Sequence, residues 1–413
     1  MKSYWWPKKI KANALYVVVS IAILVGIILL GLLTSAGVFS QAETQFLIQN
    51  KLILNVRSGL ELCLASPELP QDKVFDLFQE EEDSLRIKSK SYGVLMDAEL
   101  TAFHAGDSIS KVLLLGNKST RKSKTALYLA NSNKALGLCG NVQLNGNIFV
   151  PKRGVERSYI EGQNFVGPKL FSGTKQTSTS YLPSVHPQIN ASISDVYAIN
   201  NGSIYRDDVD TIISIYSTLV LKADEGVLLK QVVKGKVMIV SSDFIRVSSD
   251  AELENVILKA PTVVFDRGFE GSVQVFARDS IVVGEDCYLK FPSTLVLRSP
   301  LKPSFSPKIT LAKGTRLAGN IILKQTSFKL RNNGIVTINK GGVVNGTVYS
   351  EGYTQLRACE IQGEVYTKKL FLKTRSSIYE NTLLNVIIDP SKKKEDMIDL
   401  GIQNSERSWV YIK

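Results

Sequence analysis

The chain has 413 residues, with 50 Lys+Arg against 38 Asp+Glu, 44% hydrophobic and 21% charged residues. That balance excludes a disordered or collagen-like chain, and four cysteines are too few for a disulfide scaffold. Two histidines in all leave little for a His-rich metal site or a His-based relay, and no cofactor is expected.

Residues 1–13 form a basic tail carrying Lys2, Lys8, Lys9 and Lys11, with Trp5 and Trp6 suited to a headgroup layer. Residues 14–33 (ALYVVVSIAILVGIILLGLL) contain no charge. As a helix they span roughly 30 Å, the thickness of a bilayer core. That is longer than a secretory h-region, so a single-pass anchor is expected, although Ser40-Gln41-Ala42 offers a peptidase site. The first basic residue beyond the span is Lys51, so the positive-inside rule puts the N-terminus in the cytoplasm of a bacterial inner membrane and the rest in the periplasm.

Residues 34–66 read as a helical stalk, with Phe46, Leu47, Ile53, Leu54, Leu60 and Cys63 apolar among polar neighbours, ended by Ser66-Pro67 and Pro70. Residues 67–134 follow, with an acidic run at Glu80–Asp83 and then runs at 85–93, 94–103, 109–116 and 125–131. Turn residues between these runs predict an antiparallel meander.

A pattern of apolar-x-Gly-x-apolar then recurs. Its central residues are Gly146, Gly162, Asn255, Gly271, Gly319, Gly346, Gly363 and Asn381, led by Leu144, Ile160, Leu253, Phe269, Leu317, Val344, Ile361 and Tyr379. Steps of 16–18 dominate; one of 48 reads as three turns and one of 27 as a turn with an insertion. Alternate residues of a strand face one side, so the apolar pair and the Gly look inward. A corner with no room for a Cβ, or with a left-handed backbone, takes Gly first and Asn next. The fold class is therefore mainly β: a transmembrane helix with amphipathic stalk, a small antiparallel region, then an interrupted β-solenoid of three strands per coil. Its first coils are expected at 135–170, a protruding Ser/Thr/Asn-rich loop at 171–205, the main solenoid at 206–389, and a cap or tail at 390–413.

The units GGVVNGTVYS (341–350) and ACEIQGEVYT (358–367) resemble the bactofilin-like, polymer-forming β-helix proteins, although those are typically cytoplasmic and uninterrupted. The basic leader, Lys11-Ala12, the apolar helix, the stalk and the meander resemble type IV pilin-like or pseudopilin proteins. That likeness implies processing between Ala12 and Asn13, but Val17 stands where those proteins usually carry an acid. As a whole the arrangement resembles membrane-anchored β-helix proteins of Bacteroidota-type bacteria.

No HExxH, GxSxG, Walker A or CxxC motif is present. The acids Asp279 with Asp286, and Asp243 with Asp250, are the candidates for a glycosidase-type pair, but they sit where turns place solvated acids. His104 and His186 fall in different regions. Cys63, Cys139, Cys287 and Cys359 are far apart and read as free buried thiols, with disulfides as the alternative. Between Lys290 and Arg375 the net charge is +12, equal to that of the whole chain. Lys313, Arg316, Lys324, Lys329, Arg331, Lys368, Lys369 and Lys373 are therefore the candidates for a basic face toward anionic glycan, cell wall or lipid headgroups; the bland alternative is an evenly lysine-rich exterior. Nucleic acid fits the charge but not the sparse aromatics or the export. The expected function is a non-enzymatic, membrane-anchored envelope scaffold. Its alternatives are a pseudopilin-like subunit, assembling with copies of itself or pseudopilus partners, and a polysaccharide-active β-helix enzyme.

Overall fold

The computed structural model describes residues 13–66, 68–77, 83–104, 106–119, 124–194, 202–299, 305–326, 332–402 and 407–412. Strands far outnumber helices among them. The chain divides into two units. The first comprises Met1–Leu60, Lys73–Ile87 and Leu100–Lys111; the second comprises Glu61–Asp72, Lys88–Glu99 and Val112–Lys413. Most of the basic tail and Ala12 lie outside the described residues, as do Glu80, Glu81 and Glu82 of the acidic run.

The first unit is led by helix α1 (Asn13–Ala65), unbroken through the span and the stalk and about 80 Å long. This is the one described helix long and apolar enough to cross a membrane. Its apolar half is bare: Leu15, Ile23 and Leu33 are 72%, 59% and 71% exposed. Further on, Leu52 and Val56 are buried, and Gly59 brings the helix so near Leu85 that a Cβ would lie 2.4 Å from a Leu85 methyl. Positions 52, 56 and 59 share one helix face. Phe46, Leu47, Ile53 and Leu54, named among the apolar residues of the stalk, lie off that face and are exposed.

A small antiparallel sheet follows, from β1 (Asp72–Phe75), β2 (Asp83–Tyr92), β3 (Leu95–His104) and β4 (Asp107–Ser119). Its order is β1-β2-β3-β4, completed by the strand Arg407–Ile412, which runs antiparallel to β4. The tail thus ends as a sheet strand. The fourth expected meander run departs from the sequence reading, because Thr125–Leu129 pairs in parallel with 365–367 and 147–149 instead.

The bulk of the second unit is parallel. Its strands form three ladders, and each ladder has an inward column of buried residues. In the first, Val233, Leu253, Gly271, Leu289, Leu317, Val344, Ile361, Ile388 and Leu144 are successive register partners. The second runs from Ile239 through Leu258, Val275, Leu295, Ile321, Val348 and Val365 to Leu127 and Ile148. Ile245, Val263, Ile281, Ile309, Val336, Thr354 and Leu370 make the third. The apolar residues of these columns belong to one continuous apolar core.

Stack order is not chain order. Residues 125–150 pair onto the far edge of the strand Glu360–Lys373 and the short strand Ile387–Ile388, not ahead of residue 203. An edge left at 360–388 would expose unpaired backbone groups, and the earlier segment covers it. The chain must therefore run back along the stack to start again at 203, and residues 178–194 do so. They lie over the outward column of the second ladder, where Tyr349, Tyr366, Tyr128 and Phe149 stack at centroid spacings of 6.5, 6.0 and 5.2 Å. Val185, Ile189 and Ile193, the last two on helix α2 (Pro187–Ser194), are buried there beside Ile398, Leu400 and Ile402. Residues 178–194 of the segment expected to protrude form a packed strap. Tyr349 donates to Pro183 O at 3.1 Å and the His186 amide to Leu400 O at 3.1 Å.

The β2–β3 turn is fixed to the same unit by polar contacts. The Gln274 amide receives the Val94 N–H at 2.7 Å and donates to Tyr92 O at 3.1 Å. Lys236 donates to both oxygens of Asp97 at 2.9–3.0 Å, with each side chain 4% exposed.

Three of the expected repeat units and one spacing need correction. Phe269 does not lead its unit: Gly271 occupies the column of Leu253 and Leu289, and its φ is not positive. The step of 48 is two turns, because Phe269 O receives Tyr288 N and Cys287 O receives Arg316 N. Ile160 and Gly162 lie in a tight antiparallel bridge with Gln163. Tyr379 sits in a strand that doubles back antiparallel on 371–373.

Candidate anion-binding cleft

Of the expected corners, Gly146, Gly319, Gly346 and Gly363 lie in a column of close backbone approach. A Cβ on Gly319 would lie 1.7 Å from Ser293 O, on Gly346 2.1 Å from Gly319 O, and on Gly363 1.9 Å from Gly346 O. Gly146 meets Lys124 O at 2.7 Å in the same way. Asn255 and Asn381, at φ 58° and 51°, take the left-handed conformation that asparagine tolerates.

The candidate basic residues do not form one face. Arg316 is in the outward column of the first ladder, 4.8 Å from the Tyr288 ring. Lys313 is exposed at a turn between ladders. Lys369 is on the third ladder, 3.7 Å from Glu380, and Lys373 is exposed at the end of that strand. Lys329 and Arg331 lie outside the described residues. Net charge counted along a chain is divided by the fold among three outward surfaces.

Among the described candidates, Lys324 and Lys368 are brought together, flanking Glu351 on the second ladder beneath the strap. Lys324 Nζ is 2.9 Å from Glu351 Oε1, and the other carboxylate oxygen accepts the Gln325 N–H at 2.9 Å. The Tyr349 hydroxyl, kept protonated chiefly by burial and then by Glu351, lies 3.3 Å from the same carboxylate. Lys368 donates to Ser180 O and lies 5.4 Å from the Tyr181 ring. Burial pushes its ammonium below the usual lysine range, with Glu351 offsetting part of that. Two small cavities meet here, sharing Gln325, Thr326 and Glu351. One, of about 260 Å³, runs under Tyr181 and Leu182 to Lys368; the other, of about 230 Å³, runs under Asn190 and Ile193 to Arg298. Sequence reasoning missed Arg298 and Glu351, which parallel pairing sets beside Lys324 and Lys368, and Tyr181, which the strap supplies.

A larger groove of about 660 Å³ crosses the first ladder, lined by Asp250, Glu252, Glu254, Glu270, Lys234 and Lys290 among others. Its charges largely pair off, Lys234 with Glu252 at 3.1 Å and Lys290 with Glu270 at 3.2 Å. Of the acids singled out for catalysis, only Asp250 lines it. Asp279 pairs with Arg278 at 3.1 Å and Asp286 with Arg267 at 2.9 Å. His104 contacts Asp83 in the first unit, whereas His186 belongs to the strap. Among the described residues, no three His, Cys, Asp or Glu converge as metal ligands. All four cysteines are free and buried.

No protein-family model, curated protein or solved structure matches the chain.

Proposed function

We propose that this protein is a non-enzymatic scaffold of a bacterial envelope, a β-solenoid held to the inner membrane by α1, with its N-terminus cytoplasmic and its strands periplasmic. The observation that carries this reading is the set of three parallel ladders, each with an apolar inward column, joined by turns whose glycines admit no side chain. Three ladders from one winding chain support the reading of a solenoid of triangular section, the form that the period of the repeat suggests. Such a body offers long outward surfaces of fixed geometry, suited to holding a polymer rather than turning over a substrate. The test places alkaline phosphatase after Lys413 and extracts native membranes with carbonate. An active fusion that stays with the bilayer is expected; an inactive fusion, or release by carbonate, overturns the topology. Cleavage of envelope polysaccharides by the purified full chain would overturn the non-enzymatic part.

One observation favours a second reading, a pseudopilin-like subunit. Helix α1 is unbroken from Asn13 to Ala65, bare over its first half, and followed by a small antiparallel sheet. In that case the bare half packs against helices of assembly partners after cleavage behind Ala12.

A further inference from the structure

We infer that the starting edge of the stack is an interface between two copies of this chain. The strand Thr211–Ala223 pairs antiparallel with the same strand of a second copy, and the assembly closes at two, because the far end of the stack is built to refuse a neighbour. This surface is distinct from the bare half of α1 and independent of the scaffold reading.

The edge is the first reason. Thr211–Ala223 is joined on one side to Val232–Ser241. On the other, among the described residues, only Ser203 and Ile204 reach it, opposite Leu221 and Lys222. That leaves 211–216 (TIISIY), six residues without a charge, proline or glycine. Exposed edges are normally blunted by charges and proline, whereas an uncharged β-prone run is a template for pairing. The side chains agree: Ile213, Ile215 and Tyr216 are 58%, 63% and 76% exposed, and Ile204 on the same coil is 82% exposed. Ile212 and Leu219, register partners of the buried Val233 and Val237, are only partly buried, so the apolar core is incomplete at this end.

The far end is the second. Its last strand, Lys175–Thr177, sets Lys175 in register with Ile148. The inward column through Leu127 and Ile148 therefore ends in an exposed lysine. Lys152 and Arg153 are exposed at the adjoining turn. An inward-pointing charge is one of the devices that keep an edge from pairing. One end carries that device and the other lacks it, which selects a closed pair over an open series of copies.

Self-fit identifies the occupant. Antiparallel pairing about a two-fold axis at Ile213 sets Ile213 against itself and Thr211 against Ile215, with no charge facing its like. Ile212 then lies opposite Ser214, so inward positions meet inward positions, as a continuous sheet requires.

The test places single cysteines in the full chain in native membranes and oxidises them with copper phenanthroline; the four native thiols are buried. Ile213→Cys should give a disulfide-linked dimer, because residues facing each other across an antiparallel pair have Cα atoms about 4.5–5.5 Å apart, within disulfide reach. Gln176→Cys, on the exposed far-end strand, should not. Sedimentation of the detergent-solubilised chain should show a dimer. Ile213→Lys with Ile215→Lys, both at exposed positions, should raise its dissociation constant about tenfold, with thermal unfolding of the variant unchanged. A chain that sediments as a monomer, or a dimer indifferent to the two lysines, overturns the interface. Cross-linking of Ile213→Cys to a different protein overturns the second copy as occupant. Cross-linking through Gln176→Cys, or a series of higher multimers, overturns the closed pair. None of these outcomes touches the scaffold, which the phosphatase fusion and carbonate extraction judge separately.

Discussion

Replacing Gly346 by alanine is the sharpest perturbation of the stack. The added methyl would lie 2.1 Å from Gly319 O and 2.8 Å from its carbonyl carbon, both backbone atoms that cannot rotate away. The residue also holds φ +146°, a conformation that L side chains rarely adopt and that costs about 1–3 kcal/mol. Separating the two turns endangers the neighbouring bond from Thr347 N to Asn320 Oδ1, 2.9 Å, whose net loss costs about 0.5–1.5 kcal/mol. Together the expected loss is about 1.5–4.5 kcal/mol. For a cooperative unit the size of Val112–Lys413, roughly 1.5 °C of melting temperature accompanies each kcal/mol, so a fall of about 2–7 °C is expected. Gly162→Ala is the control, because Gly162 has φ +82° but nothing within 4 Å of an added Cβ. It should cost only backbone strain, about 1 kcal/mol. Differential scanning calorimetry of both variants decides. Equal shifts would refute the close-approach reasoning and leave backbone angle as the sole reason for the glycines.

Lys236→Ala should destabilise by about 3–5 kcal/mol, because it strands Asp97 in a buried site; urea midpoints of this variant and of Lys236→Met with Asp97→Leu test it, and the double variant should recover most of the loss. The hydrogen bond from Lys392 holds the Glu360 carboxyl below the usual glutamate range. A carboxyl depressed in the folded state stabilises above its unfolded value and loses that contribution as the pH falls through the folded one; stability curves from pH 6 down to pH 2, about the ordinary carboxylate range, should therefore be flatter for Lys392→Gln. Burial pushes the Cys63 thiol up to about 11 and the Cys359 thiol up to about 12. Ellman's reagent at mildly alkaline pH should thus find no rapidly reacting thiol in the native chain and all four after denaturation, and a fast native phase would contradict the burial.

How far the sequence discloses the fold varies by element. The register Leu317–Val344–Ile361 was legible because each residue leads an apolar-x-Gly-x-apolar unit and the pairing follows the repeat. The unit at 269–273 misled because a glycine can fill an apolar column as well as a corner. Placement of 125–150 beyond Ile388 left no local trace, since parallel pairing is indifferent to how the intervening chain travels. The strap did carry a signal: Val185, Ile189 and Ile193 recur every four residues, one face of a helix, amid a composition that otherwise reads as loop. For the site, a linear charge count cannot anticipate that alternate residues and successive strands face different surfaces. Lys324 and Lys368 meet only because their strands belong to the same ladder. Tyr181 reaches them only through the strap.

The anchored-scaffold claim is tested most directly by the intact mass and N-terminal sequence of the protein extracted from its native membrane. A chain retaining its basic tail from Met1 is the expected result, since that tail and the uncut α1 hold the body at the bilayer. A mature chain beginning at Asn13 would contradict it, and would make this a processed, pilin-like subunit whose bare helix is an assembly surface.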